Sequence, residues 1–232
     1  MMGTSIPVTR ARKPAVKTLT PVESATINKL HAEQQAYEAE ARYNNLQSER
    51  LVRVKVEEDA SADSQRILDF VTEVNDVSVY RAISALSQWR IKAKTPVTIR
   101  FNSPGGDLVA GMALYDYIIM VRNEGIVVNT VALGMAASMG GVLLQAGTTR
   151  YIAPGAWLMI HEVTADVYGK LSEIADTTKW VERTQDKLAE ILAERSIYSK
   201  TQIKTKWRKK DWWINADDAV KQGFADEIAF LA

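Results

Sequence analysis

Ser138, His161 and Asp211 are the residues of this sequence whose types and order could do acyl-transfer chemistry. They run in the order nucleophile, base, acid. A hydroxyl attacks a carbonyl only if a base takes its proton, and a carboxylate orients that base. Ser138 sits in Gly134-Met135-Ala136-Ala137-Ser138-Met139-Gly140-Gly141, a small-residue stretch that also suits close backbone packing. His161 is one of two histidines; the other, His31, lies far outside the apolar body. A lone histidine at a strand end also suits a structural role. Asp211 follows Arg208-Lys209-Lys210 and could simply neutralise them. At the level of single residues both readings stay open.

The elements around these residues favour a site. The apolar, β-branched run Ile126–Leu133 predicts a buried strand before the octet. Val142–Ala146 predicts a short helix stopped by Gly147, which puts Ser138 at or near a helix N-terminus. There free backbone N–H groups and the helix dipole favour a developing oxyanion. Thr149–Ala153 and Trp157–Ile160 predict short strands joined at Pro154-Gly155, with His161 at the end of the second. Upstream, Ile67–Val74 predicts a strand, Asn75 or Asp76 caps a helix, and Val97–Phe101 predicts a second strand. Asn102-Ser103-Pro104-Gly105-Gly106 predicts a turn, and Asp107 caps a helix ended by Gly125. Downstream, a long helix follows Gly169 to about Arg195, and a short one covers roughly 200–209. A capped helix Asn215–Gln222 and a last strand near Ala225–Ile228 complete the body. Alternating strands and helices with unbroken apolar strands predict an α/β fold with a parallel sheet and right-handed crossovers.

Composition excludes several classes. The chain has 232 residues, enough for one domain with a sizeable core and an appendage. Net charge is +1, so bulk charge argues for neither nucleic acid nor membrane. There is no cysteine, which removes thiolate catalysis and fits a reducing cytoplasm. Two histidines cannot build a multi-histidine metal site, and no metal or cofactor is expected. No apolar run approaches the ~20 residues of a membrane span. Lys200, Lys204, Lys206, Arg208, Lys209 and Lys210 make a basic cluster without interleaved stacking aromatics, read as a solvated helix face. Trp207, Trp212 and Trp213 read as core or interface anchors.

The N-terminal third reads differently. Residues 1–19 hold Arg10, Arg12, Lys13 and Lys17 with no acid, and predict a flexible basic arm. Thr20-Pro21-Val22-Glu23 is a capping box for a long helix to about Glu49. Its apolar stripe (Ile27, Leu30, Tyr37, Ala41, Leu51) is thin. An exposed helix and a contact for an oligomer or partner are equal readings of it. Leu51–Val56 alternates as a strand does, and 57–64 reads as loop. The domain expectation is thus an arm over 1–19, a helical extension and linker over 20–65, and a folded body over 66–232.

Four stretches carry a family resemblance. Phe101-Asn102-Ser103-Pro104-Gly105-Gly106, Gly134–Met139, Met159-Ile160-His161, and Asp211 followed by Ala216, Ala219-Val220 and Gly223–Ile228 resemble the proteolytic subunit of the caseinolytic (Clp) protease, ClpP. The likeness keeps order and approximate spacing from about Arg66 to Ile228. Ile160–Val163, 188–196 and Lys210–Trp213 look closest to the ClpP-like proteins of phages and prophages, some of them head-maturation proteases.

The resemblance implies a spiral of ββα units shared with the crotonase fold, with a protruding handle helix over 169–195. It makes Ser138 the nucleophile, His161 the general base, and Asp211 its orienting acid. It makes the backbone N–H groups of Gly106 and Met139 the oxyanion hole, with Gly105 and Gly106 lining the substrate. It implies a cofactor-independent serine endopeptidase acting on peptide or protein in a ring oligomer of ClpP type, heptameric rings that can pair into fourteen subunits. The implied setting is cytoplasmic, the host cytoplasm for a phage protein. Two departures stand out: Glu162-Val163 replaces the usual Gln-Pro, and residues 1–65 replace a short N-terminal hairpin. The partner is therefore either an AAA+ unfoldase or a capsid or scaffold protein. The rival readings are a crotonase-type acyl-CoA enzyme and a non-catalytic ring scaffold.

Overall fold

The computed structural model describes residues 21, 28–46, 65–165 and 168–230. The chain divides into two units, Met1–Glu58 and Asp59–Ala232. The described part of the first is essentially one helix, α1 (28–46), every residue of which is exposed. The arm over 1–19, the Thr20–Glu23 capping box, the Leu51–Val56 alternation and the 57–64 loop fall outside the described residues, apart from Pro21, which is helical.

The second unit is a mixed α/β fold. Its elements are β1 (Ile67–Phe70), α2 (Asp76–Lys92), β2 (Val97–Ser103), α3 (Leu108–Asn123), β3 (Val128–Ala137), α4 (Met139–Gln145), β4 (Thr149–Ile152), β5 (Trp157–Ile160), α5 (Leu171–Glu194), α6 (Lys200–Lys206), β6 (Trp212–Asn215), α7 (Ala216–Lys221) and β7 (Glu227–Ile228). The strands β1-β2-β3-β4-β7 form a parallel path, and β5 adds to β3 in parallel. The sheet is not wholly parallel, because β6 runs antiparallel to β5.

The partner switch along β3 positions the site. Its first half pairs with β4 (Asn129–Ala132) and its second half with β5 (Met135–Ala137). Between them the β2 register jumps from Phe101↔Ala132 to Ser103↔Ala136, which inserts two extra residues into β3. Gly134 lies in that bulge at φ 66°, a conformation glycine adopts at least cost. The first half of the octet, Gly134–Ala137, is thus strand, bent at Gly134, and its last three residues already belong to α4. The bend carries Ala137 and Ser138 beside β5 and so beside His161.

Other boundaries moved for identifiable reasons. The strand expected over Ile67–Val74 stops at Phe70, and Val74 pairs alone with Gly106. Val74 N–H donates to Gly105 O, and Asp107 N–H donates to Val74 O, both at 2.7 Å. α2 starts at an Asn75 capping box, where Asn75 accepts from Ser78 N–H and Ser78 Oγ accepts from Asn75 N–H. α4 begins three residues earlier than expected, directly after Ser138. Trp212–Asn215 is a strand, not a connection. Its short span hides the alternation that a longer strand would show.

One apolar core joins the sheet to its helices. It includes Ile99, Phe101, Leu114, Ile118, Leu143, Leu144, Ile152 and Leu158, each fully buried. The handle helix α5 enters it only with its last third, where Leu188, Ala189, Ile191 and Leu192 are buried. Its outer part stands exposed, with Leu171 at 87% and Trp180 at 48%. An ion-pair network centred on one buried arginine ties the end of α5 to the sheet. Arg150, 2% exposed, meets both Asp226 oxygens and donates to Gln145 Oε1 and Gly223 O. Arg195 reaches Asp226 Oδ2 at 2.7 Å and Gly147 O at 2.9 Å. Half of the basic cluster over 200–210 is partnered: Lys200 meets Asp186 and Glu190, Lys204 meets Asp186, and Lys206 lies over Tyr198 and Trp212.

Candidate active site

Ser138 is the N-cap of α4 and adopts φ 52°, ψ −121°. A non-glycine residue there is strained by roughly 1–3 kcal/mol and persists only when its surroundings fix it. Here they do. Ser138 N–H donates to Met159 O at 2.8 Å, while its own carbonyl accepts from Gly141 and Val142. All seven residues of α4 are buried. Gly140 abuts Ser103 and Gly141 abuts Leu158, so the helix lies hard against β2 and β5. The sharp turn from β3 into α4 presents the Ser138 hydroxyl outward.

His161 is the residue after β5, and its Nε2 lies 2.7 Å from Ser138 Oγ. With the proton on Nδ1, Nε2 accepts the hydroxyl hydrogen, the geometry a general base needs. The sheet enforces this approach, because Ala137↔Met159 pairing sets the two strand ends side by side.

Two backbone amides sit beside the hydroxyl. Gly105 and Gly106 adopt φ 95° and 141°. A Cβ on Gly105 would stand 2.6 Å from Ser138 Cβ and 3.0 Å from Met139 N; one on Gly106 would stand 2.2 Å from Val74 O. Only glycine lets this turn press against the start of α4. Pairing with Val74 occupies the Gly105 carbonyl and the Asp107 amide, and the Gly105 amide donates to Ser103 Oγ. The Gly106 and Met139 amides have no hydrogen-bond partner among the described residues. Two free donors next to a nucleophile are what a tetrahedral oxyanion requires.

These groups open on one cleft of about 290 Å³, lined by Gly106, Ser138, Met139 and His161. Its far wall is apolar, built from Val142, Leu188, Leu192 and Trp207. The sequence reading missed this wall, although the i,i+4 spacing of Leu188 and Leu192 on α5 marks their shared face.

Asp211 is brought near but not joined. β5 and β6 pair Ile160↔Trp212, so the antiparallel register sets Asp211 across from His161. Asp211 is nonetheless exposed, and no hydrogen bond links it to His161 among the described residues. The next residue is anchored: Trp212 packs edge-on to Tyr198 and Phe224, with centroids at 5.5 Å in each case. The three tryptophans separate: Trp207 is 1% exposed, Trp212 is half-buried and Trp213 is 48% exposed. Among the described residues no group of acids and histidines could hold a metal, and no helix is long and apolar enough to cross a membrane.

The chain is similar to known proteins over most of its length. The family model described as Clp protease matches residues 53–231. The "ATP-dependent Clp protease proteolytic subunit 2" of Tropheryma whipplei is 39% identical over 137 residues, covering 58% of this chain and 74% of its own. The "ATP-dependent Clp protease proteolytic subunit 1" of Streptomyces avermitilis is 32% identical over 168 residues, 71% and 76% of the two chains. The proteolytic subunit 3 of Streptomyces coelicolor is 34% identical over 170 residues, 71% and 75%.

Proposed function

The chain belongs to the Clp protease family, and on that premise we propose that it is a serine endopeptidase in which Ser138, His161 and Asp211 form the catalytic triad. The observation that carries the assignment is the 2.7 Å contact between Ser138 Oγ and His161 Nε2 at the mouth of the cleft. The Gly106 and Met139 amides are the oxyanion donors, and the Gly105-Gly106 turn lies along the substrate backbone.

Each step uses one of these positions. Ser138 Oγ bonds to the scissile carbonyl carbon as its proton passes to His161 Nε2. The carbonyl oxygen takes the negative charge toward the two amides. The C–N bond breaks, and His161 returns the proton to the leaving amine. Water then attacks the acyl-enzyme, His161 takes its proton, and the C–Oγ bond breaks with protonation of Ser138. No step calls for a cofactor. The apolar wall accepts an apolar side chain of the substrate beside the scissile bond.

The assembly is a ring of ClpP type, with the exposed outer part of α5 as contact between rings. The relatives are named as ATP-dependent proteolytic subunits, which supports a cytoplasmic degradation machine fed by an AAA+ partner. Processing of phage head proteins is the second reading, favoured by Glu162-Val163 and by the N-terminal extension. The arm (1–19), extension (20–65) and peptidase body (66–232) are the domains we assign. A crotonase-type acyl-CoA enzyme would leave the Ser138–His161 contact without a task.

The test is native mass spectrometry combined with peptide hydrolysis by the full chain and its Ser138→Ala and His161→Ala variants. Ring-sized assemblies whose hydrolysis disappears in both variants support the assignment. Hydrolysis that survives either substitution overturns it.

A further inference from the structure

The turn leading to Asp211 is held from the residue next to His161. A carboxylate oxygen of Glu162 accepts the backbone N–H of Lys209 in a short hydrogen bond. Lys209 adopts φ 57° although it is not glycine. Of the three described non-glycine residues with positive φ, one, Ser138, lines the cleft, and another, Lys209, lies two residues past Trp207 of its apolar wall. Such a conformation lasts where neighbours over-determine it.

The root of the turn is fixed independently. Trp207 is 1% exposed, and its carbonyl accepts the Lys210 N–H at 3.2 Å. From that root to the start of β6 the chain is exposed, and Glu162 is the side chain from β5's end that reaches it. Asp211 lies two residues past the held amide. The contact is to the main chain, and no ion pair joins Glu162 to Arg208, Lys209 or Lys210 among the described residues. Charge neutralisation of the basic run therefore does not account for it.

We propose that Glu162 is a positioning residue whose carboxylate latches the 207–211 turn to the end of β5 and so keeps Asp211 across from His161, within the place that the β5–β6 register gives it. The inference rests on the peptidase reading above. The latch requires an acceptor oxygen and not a charge, so glutamine can replace glutamate while alanine cannot. It also ties base and acid to one short segment, since His161 and Glu162 are consecutive.

The experiment uses the full chain with Glu162→Ala and Glu162→Gln, each also made in an Asp211→Ala background. Hydrogen exchange of the segment spanning 207–213 should be on the order of 10-fold faster in Glu162→Ala and near the parent rate in Glu162→Gln. For a fluorogenic peptide, kcat should fall on the order of 10- to 100-fold in Glu162→Ala with KM within about twofold, the scale at which small misplacements reach catalysis. Glu162→Gln should restore it. In the Asp211→Ala background the Glu162→Ala loss should vanish, because the latch then has nothing to position. Unchanged exchange overturns the proposal, as does a loss that persists undiminished without Asp211 or that Glu162→Gln fails to rescue. A parent chain that hydrolyses nothing overturns the peptidase reading instead, and exchange alone then decides the latch.

Discussion

On the Ser138 flank of the cleft every residue of α4 is buried, glycines at 105, 140 and 141 abut their neighbours, and the nucleophile is hydrogen-bonded through its backbone on both sides. On the Asp211 flank the turn from 208 to 211 is exposed, and among the described residues one side-chain contact holds its tip and no hydrogen bond joins the acid to the base. In the proposed triad both flanks serve one imidazole. The difference shows that main-chain packing fixes nucleophile, base and oxyanion donors together, while the acid depends on a few surface contacts. Damage on the first flank should therefore remove the site, and damage on the second should weaken it by degrees.

The largest effect should come from Ser138→Ala, with peptide turnover falling about 10⁴-fold or more while the circular dichroism spectrum is kept. Next is Gly105→Ala. A methyl group there overlaps Ser138 and the φ of 95° disfavours it, so turnover should drop on the order of 10²–10³-fold through the displaced oxyanion donors. Steady-state kinetics at full substrate saturation would check both. Asp211→Asn should cost less than His161→Ala in the same assay. Equal losses would mean that the two flanks are equally committed and would break the comparison.

A smaller effect concerns stability and pH. Burial pushes the Asp226 carboxyl up, but hydrogen bonds from Arg150, together with the charges of Arg150 and Arg195, outweigh it and hold the group below its ordinary value. A carboxylate depressed in the folded state stabilises above its unfolded value of about 4 and loses that contribution as pH falls through the folded value. Asp226→Asn should thus lower the urea midpoint at pH 7, and the gap to the parent chain should close toward pH 3. The smallest effect expected is from Asn75→Ala, which removes a helix cap and should cost about 1 kcal/mol in the same unfolding experiment.

The flank with more main-chain constraint was also the more legible in sequence. Gly105, Gly106 and Gly134 are written as glycine because their backbone angles demand it, and the small residues around Ser138 announce a tight passage. His161 follows a strand end, as the sequence predicts, and β-pairing sets that end beside Ser138. The β3 bulge was not legible, since two extra residues change no apolar pattern but move the bend. Strand β6 escaped because four residues with a single buried one carry almost no periodicity. The Glu162–Lys209 contact joins residues 47 apart through a side chain and an amide, which no local pattern encodes.

The most direct test of the central claim, that the Ser138 hydroxyl is activated by His161, is to treat the assembled protein with a fluorophosphonate and map the adduct by peptide mass spectrometry. The account predicts a single modified residue, Ser138, with labelling slowed at least about 10²-fold by His161→Ala. Labelling of another residue, or labelling of Ser138 at an undiminished rate without His161, would contradict it.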